Sequence, residues 1–171
     1  MLLNRRAMIA GSAAAALLAP AAPASAIVQD RFQTLMRRVM GMTWIGTART
    51  RSDQFVGGEF VSAIGMKFAL AEDWSYRGIM MEQLNLDNST YTGKFEISGE
   101  CWTIGDDAGV SIYNMRLIEG SPLPSPYSWG PSKADMKFYN DSSRPGKFSL
   151  QGIMTSLEDG TKFTIALSNS D

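Results

Sequence analysis

The chain has 171 residues, 16 basic against 17 acidic, one cysteine, 11 methionines, 44% apolar residues and no histidine, a length that suits one domain. Without histidine, Ser-His-Asp triads, Cys-His dyads, HExxH zinc sites and histidine pH switches are excluded, and one cysteine makes neither an internal disulfide nor a cysteine zinc site. The near-balanced charge leaves no basic footprint for a phosphate backbone, so no nucleic-acid partner, metal or cofactor is expected.

Residues 1–26 read as an export signal. Asn4-Arg5-Arg6 leads into an Ala-rich apolar run from Ala10 to Leu18, and a Pro-containing end reaches Ala24-Ser25-Ala26, an A-x-A-type cleavage site. The run is about half of the ~20 residues a bilayer span needs, which argues against an N-terminal anchor and leaves no integral span once the signal is removed. Arg5-Arg6-x-Met8-Ile9 before a weakly hydrophobic core resembles a twin-arginine signal, with a general secretory signal as the alternative. The expected location is periplasmic or secreted, in a bacterium. Cleavage after Ala26 leaves residues 27–171 with a slight acidic excess.

Residues 27–41 carry the one helical pattern. Val28, Phe32, Leu35, Met36 and Val39 form an apolar stripe at a 3.6-residue period, Asp30 and Arg37-Arg38 suit the helix dipole, and Gly41 is a stop. The expected helix, about 28–40, needs an apolar surface to cover. From residue 42 to 171 the period is two. Strands are expected at Thr43–Thr50, Phe60–Leu70, Trp74–Leu84, Thr90–Ser98, Glu100–Ile104, Val110–Ile118, Met136–Tyr139, Lys147–Ser156 and Lys162–Ser168. Turn signals separate them: Asp53 with Gly57-Gly58, Glu72-Asp73, Asp87-Asn88-Ser89, Gly105-Asp106-Asp107, Arg144-Pro145-Gly146 and Glu158-Asp159-Gly160.

Eight or nine short strands without a second helix disfavour parallel βαβ units and predict a single antiparallel β domain. An up-and-down barrel of about eight strands, with the N-terminal amphipathic helix packed on it, is preferred over a two-sheet sandwich. Gly93-Lys94-Phe95-Glu96-Ile97-Ser98-Gly99 and Gly146-Lys147-Phe148-Ser149-Leu150-Gln151-Gly152 share one pattern, G-K-F-polar-aliphatic-polar-G. Glycines at such positions permit the sharp bending that closes a small barrel, although two glycine-entered strands also arise by coincidence. The segment 119–133 holds Pro122, Pro124, Pro126 and Pro131 with Leu123, Tyr127 and Trp129. It is no central strand, and a loop of this length is expected to fold over an open barrel end as a lid, or else to pack as a stiff outer connection.

Gly41-Met42-Thr43-Trp44, after a short helix and before a strand ending Ala48-Arg49, resembles the lipocalin-like (calycin) barrels, which open with a helix, G-x-W and often Ala-Arg. The Gly-Trp spacing is one residue longer here, and Lys162 stands where the resemblance implies an arginine packed over the Trp.

Trp44, Trp74, Tyr76, Trp102, Tyr113, Tyr127 and Trp129 are the candidate ligand-binding residues, since aromatics with polar tips line small-molecule pockets. A solid core is the competing assignment, and Met66, Met80, Met81, Met115, Met136 and Met154 suit either. Cys101 lacks a histidine partner and reads as an inert, buried thiol. Among the acids, Glu82, Glu96 and Glu100 lie on or beside strands, where an inward pair would be needed for carboxylate chemistry. The expected function is therefore an exported, non-catalytic binder of a small apolar or amphipathic ligand. The alternatives are an interaction or inhibitor module that meets an envelope protein through the 119–133 loop, and a His-free barrel enzyme using carboxylates.

Overall fold

The computed structural model describes residues 24–51 and 58–170, with side chains from residue 32 onward. Residues 1–23 of the expected export signal, and most of the turn around Asp53 and Gly57, lie outside the described residues. The elements are α1 (Ala24–Met40), β1 (Thr43–Arg51), β2 (Glu59–Leu70), β3 (Ser75–Leu86), β4 (Ser89–Ile104), β5 (Asp107–Gly120), β6 (Ser132–Asn140), β7 (Phe148–Ser156) and β8 (Lys162–Asn169). The strands form one closed antiparallel barrel in sequence order, β1 pairing with both β2 and β8. This is the up-and-down barrel, and the sandwich is ruled out.

Alternation decides what lies inside. Along β2, Ser62, Ile64, Met66 and Phe68 are buried while Val61, Ala63, Lys67 and Ala69 are exposed, the period-two pattern of a sheet wet on one face. Buried side chains from every strand meet in the interior, among them Trp44, Met66, Tyr76, Met80, Phe95, Ile112, Met136, Leu150 and Ile165. An eight-stranded barrel is just wide enough for side chains to fill, and here large residues occupy its middle. Five of the six methionines named above, Met66, Met80, Met115, Met136 and Met154, belong to this packing, whereas Met81 is 45% exposed on the outer face.

The antiparallel register gives the barrel two unlike ends. At one, β1 begins and β8 ends, with Trp44 opposite Asn169. The last turn of α1, from Met36 on, belongs to the same compact unit as the barrel, and Met36, Val39 and Met40 are buried there. Trp44 Nε1 donates to the Val39 carbonyl at 3.2 Å and its ring lies 5.5 Å from that of Phe138. Lys162 does not stand over Trp44. It pairs with Thr155 at the opposite end of β8, because β8 runs antiparallel to β1 and its first residue is farthest from the start of β1.

Where the alternation breaks the chain into Thr90–Ser98 and Glu100–Ile104, the structure has one strand, β4, with register shifts against β5 at Lys94/Phe95 and Ser98/Gly99. Gly99 bends this strand and does not end it. A Cβ there would fall 1.7 Å from the Ser111 carbonyl oxygen, and one at Gly152 would fall 1.9 Å from that of Asp135. The closing glycines of the two G-K-F segments thus sit where the neighbouring strand's backbone presses on them. Trp74 lies in the turn before β3, not in the strand, with φ 67°. Asp73 Oδ1 shapes that turn by accepting from Ser75 N at 3.1 Å and Ser75 Oγ at 2.6 Å.

Candidate functional site

The barrel end opposite Trp44 is not filled. It holds a cavity of about 330 Å³ walled by inward side chains of β2, β3, β4, β7 and β8 and by residues 126–130 of the β5–β6 connection. Phe60, Leu84, Phe95, Met154 and Phe163 give it apolar walls, with Glu82 among them. Ser156, Glu158, Asp159 and Thr161 lie on its β7–β8 side.

Residues 121–131 cover this end for reasons that start with proline. The prolines remove backbone donors, so the segment cannot extend the sheet, and its remaining groups find particular partners. Ser121 N donates to the Thr92 carbonyl at 2.9 Å, Tyr127 N to that of Pro124 at 2.9 Å, and Leu157 N to that of Pro131 at 2.9 Å. Ser128 Oγ donates to Glu158 Oε2 at 3.0 Å. Trp129 is the main anchor. Its Nε1 donates to the Ser121 carbonyl at 2.7 Å and its ring meets Phe95 edge-on at 5.9 Å. It also packs where Gly93 and Gly120 carry no side chain, since a Cβ at either would come within 3.0 Å of the indole. Tyr127 stacks on Phe60 at 6.4 Å, and Phe60 meets Phe163 edge-on at 6.1 Å.

The charged groups among the described walls of the cavity are acidic. Burial pushes the Glu82 carboxyl above its ordinary value, and the Ser62 hydroxyl beside it offsets this in part. Ser62 Oγ is itself buried without a hydrogen-bond partner of good geometry among the described residues. Asp159 is held down at about 2, chiefly by the side-chain hydroxyl and backbone N–H of Thr161 and then by Ser156. No Lys or Arg is among the described residues that wall the cavity.

Of the seven aromatic candidates, the structure brings Tyr127 and Trp129 to this cavity. Trp44 is fully buried at the opposite end, beside Val39. Tyr76 is buried in the interior, its hydroxyl donating to the Ser111 carbonyl at 2.9 Å, and burial raises its pKa. Trp74 is in the β2–β3 turn, Trp102 lies against Gly109, and Tyr113 is 54% exposed on the outer face. Phe60, Phe95 and Phe163 complete the walls, none of them among the seven candidates. Their signal was strand phase: Phe60 shares parity with buried Ser62 and Ile64, and Phe163 with Ile165 and Leu167.

Of the three strand-borne glutamates, only Glu82 faces the cavity. Glu96 is on the outer side, hydrogen-bonded to Arg116 Nη2 at 2.5 Å, and Glu100 is exposed, so the three do not form an inward pair. Cys101 is half-buried and burial pushes its thiol up to about 12. Among the described residues no group of three His, Cys, Asp or Glu side chains is placed to hold a metal, and no helix is long and apolar enough to cross a membrane.

Together these features define a class: a closed eight-stranded up-and-down barrel, consistent with a calycin-like fold, with one end packed and the other lidded over a small cavity. The chain matches no protein-family model and no curated protein.

Proposed function

We propose that the protein is an exported, non-catalytic binder of a small apolar or amphipathic molecule, lipocalin-like in its use of a barrel end, acting in the periplasm or outside the cell. The observation that carries this reading is the cavity of about 330 Å³ beneath the 121–131 lid, lined in part by aromatic rings, in a barrel whose middle is occupied by large buried side chains. Clefts of this scale that combine apolar and aromatic walls with placed polar groups are the usual form of small-ligand sites. Export rests on the residues Arg5-Arg6 and Ala24-Ser25-Ala26 alone.

The interaction-module alternative has less support, because Tyr127 and Trp129, the side chains it would present, turn toward the barrel. The carboxylate-enzyme alternative has less support because Glu96 and Glu100 lie outside. Titration with Nile red, a neutral lipophilic dye, tests the binding reading. Saturable, one-to-one fluorescence enhancement that Trp129→Ala weakens is the expected result; enhancement that never saturates, or is indifferent to Trp129, overturns it.

A further inference from the structure

We propose that the cavity selects an organic cation, a protonated amine or quaternary ammonium on an apolar body, with Glu82 as its counter-charge. This rests on the small-ligand reading above and names the ligand class for that same site.

Three features converge. The described cavity walls carry the carboxyls of Glu82, Glu158 and Asp159 and no cationic side chain. The acids are divided between depths, Glu82 on the inward face of β3 between Met80 and Leu84, and Glu158 and Asp159 exposed in the β7–β8 turn. An incoming cation would meet negative charge first at the rim and again inside, where low dielectric strengthens it. Five aromatic side chains stand among the other lining residues: Phe60, Phe95, Tyr127, Trp129 and Phe163. Ring faces attract ammonium groups, and such cages recur where quaternary ammonium is recognised.

The interior adds an independent sign. A carboxyl drawn partly out of water without a cationic partner is unfavourable, and the described lining supplies the half-buried Glu82 with no Lys or Arg, the buried Ser62 hydroxyl beside it easing the carboxyl only in part. A protonated amine would satisfy the carboxyl as charge and donor, and its remaining N–H groups would have the hydroxyl oxygen as a further acceptor. An anionic ligand would face three carboxyls, and a neutral hydrocarbon would leave Glu82 without a counter-charge.

The test uses three probes with one naphthylmethyl body: the trimethylammonium, the neutral carbinol and the carboxylate. Each is titrated calorimetrically into the protein and into Glu82→Gln. The ammonium is expected to bind about tenfold more tightly than the carbinol, with the carboxylate weakest, and Glu82→Gln to remove most of that preference. Saturable carbinol binding equal to or tighter than that of the ammonium overturns cation selectivity and leaves the small-ligand reading standing. An ammonium preference that survives Glu82→Gln overturns the role of Glu82. If no probe binds saturably, the small-ligand reading fails and this inference fails with it. The ordering measured on the unsubstituted protein decides the first outcome even if the variant does not fold.

Discussion

Removing the indole of Trp129 is the most direct way to ask whether the 121–131 segment is clamped to the barrel. Trp129→Ala loses the Nε1 bond to the Ser121 carbonyl and the edge contact with Phe95, and leaves the bare backbone at Gly93 and Gly120 uncovered. A hydrogen bond contributes about 1 kcal/mol net and an aromatic edge contact about 1 kcal/mol. Trp129 is half-buried, so the loss falls below the roughly 3–5 kcal/mol of a fully buried large aromatic; about 2–3 kcal/mol is expected. Trp129→Phe keeps the ring and loses only the N–H, which isolates about 1 kcal/mol. Urea unfolding followed by far-UV circular dichroism measures both, and an unchanged m-value shows that the compactness of the end states is preserved. A loss under about 0.5 kcal/mol for the Ala variant would refute the clamp, since no lid held by these contacts loses its main anchor so lightly.

Gly99→Ala and Gly152→Ala each drive a methyl group into strand backbone, at 1.7 Å and 1.9 Å from a carbonyl oxygen, and each is expected to lose more than about 3 kcal/mol or fail to fold. Gly65→Ala, where the nearest atom is 4.0 Å away, is the neutral control; thermal melts compare the three. Glu82→Gln changes the pH profile: the folded carboxyl holds its proton above the ordinary value of 4.5, so the native state binds more protons than the unfolded chain in that window and stability falls as pH rises through it. The variant is expected to lack that fall and to be more stable than the parent at pH 7, which melting across pH 4 to 8 checks; a parent that gains on the variant as pH rises would contradict the assignment. Cys101, pushed up to about 12, has roughly one thiolate in ten thousand at pH 8, so iodoacetamide is expected to label it only after denaturation, as mass spectrometry would show.

The fold was legible where two signals agreed. Period-two alternation along 60–70 and the turn residues Asp87-Asn88, both left-handed at φ 48° and 63°, define hairpins without knowledge of the partner strand. Gly99 was ambiguous because a glycine in a strand marks either an end or a bulge; the distinction lies in the backbone of β5, which is distant in sequence. Proline content marked 119–133 as a loop and left open whether it covers a barrel end or packs outside; β5 runs to Gly120 and β6 starts at Ser132, so the connection is two residues shorter at each end. Trp44 and Tyr76 share their chemistry with Tyr127 and Trp129 and differ only in which end and depth of the barrel they reach, a property of register that composition does not carry. Glu82 was recoverable from phase, since it lies at even spacing from Tyr76, Met80 and Leu84. What the sequence withheld was that packed side chains would leave space around it.

Among the described residues every ladder but one joins strands adjacent in sequence; the exception is β1 with β8, from Trp44↔Asn169 to Arg49↔Thr164. Hairpins of a meander assemble from local contacts, whereas this seam joins chain segments more than a hundred residues apart and is closed against a larger loop entropy. An opened seam would expose two unpaired strand edges, the arrangement that templates pairing with other chains. Weakening the seam would therefore show first as concentration-dependent self-association, before any loss of β content.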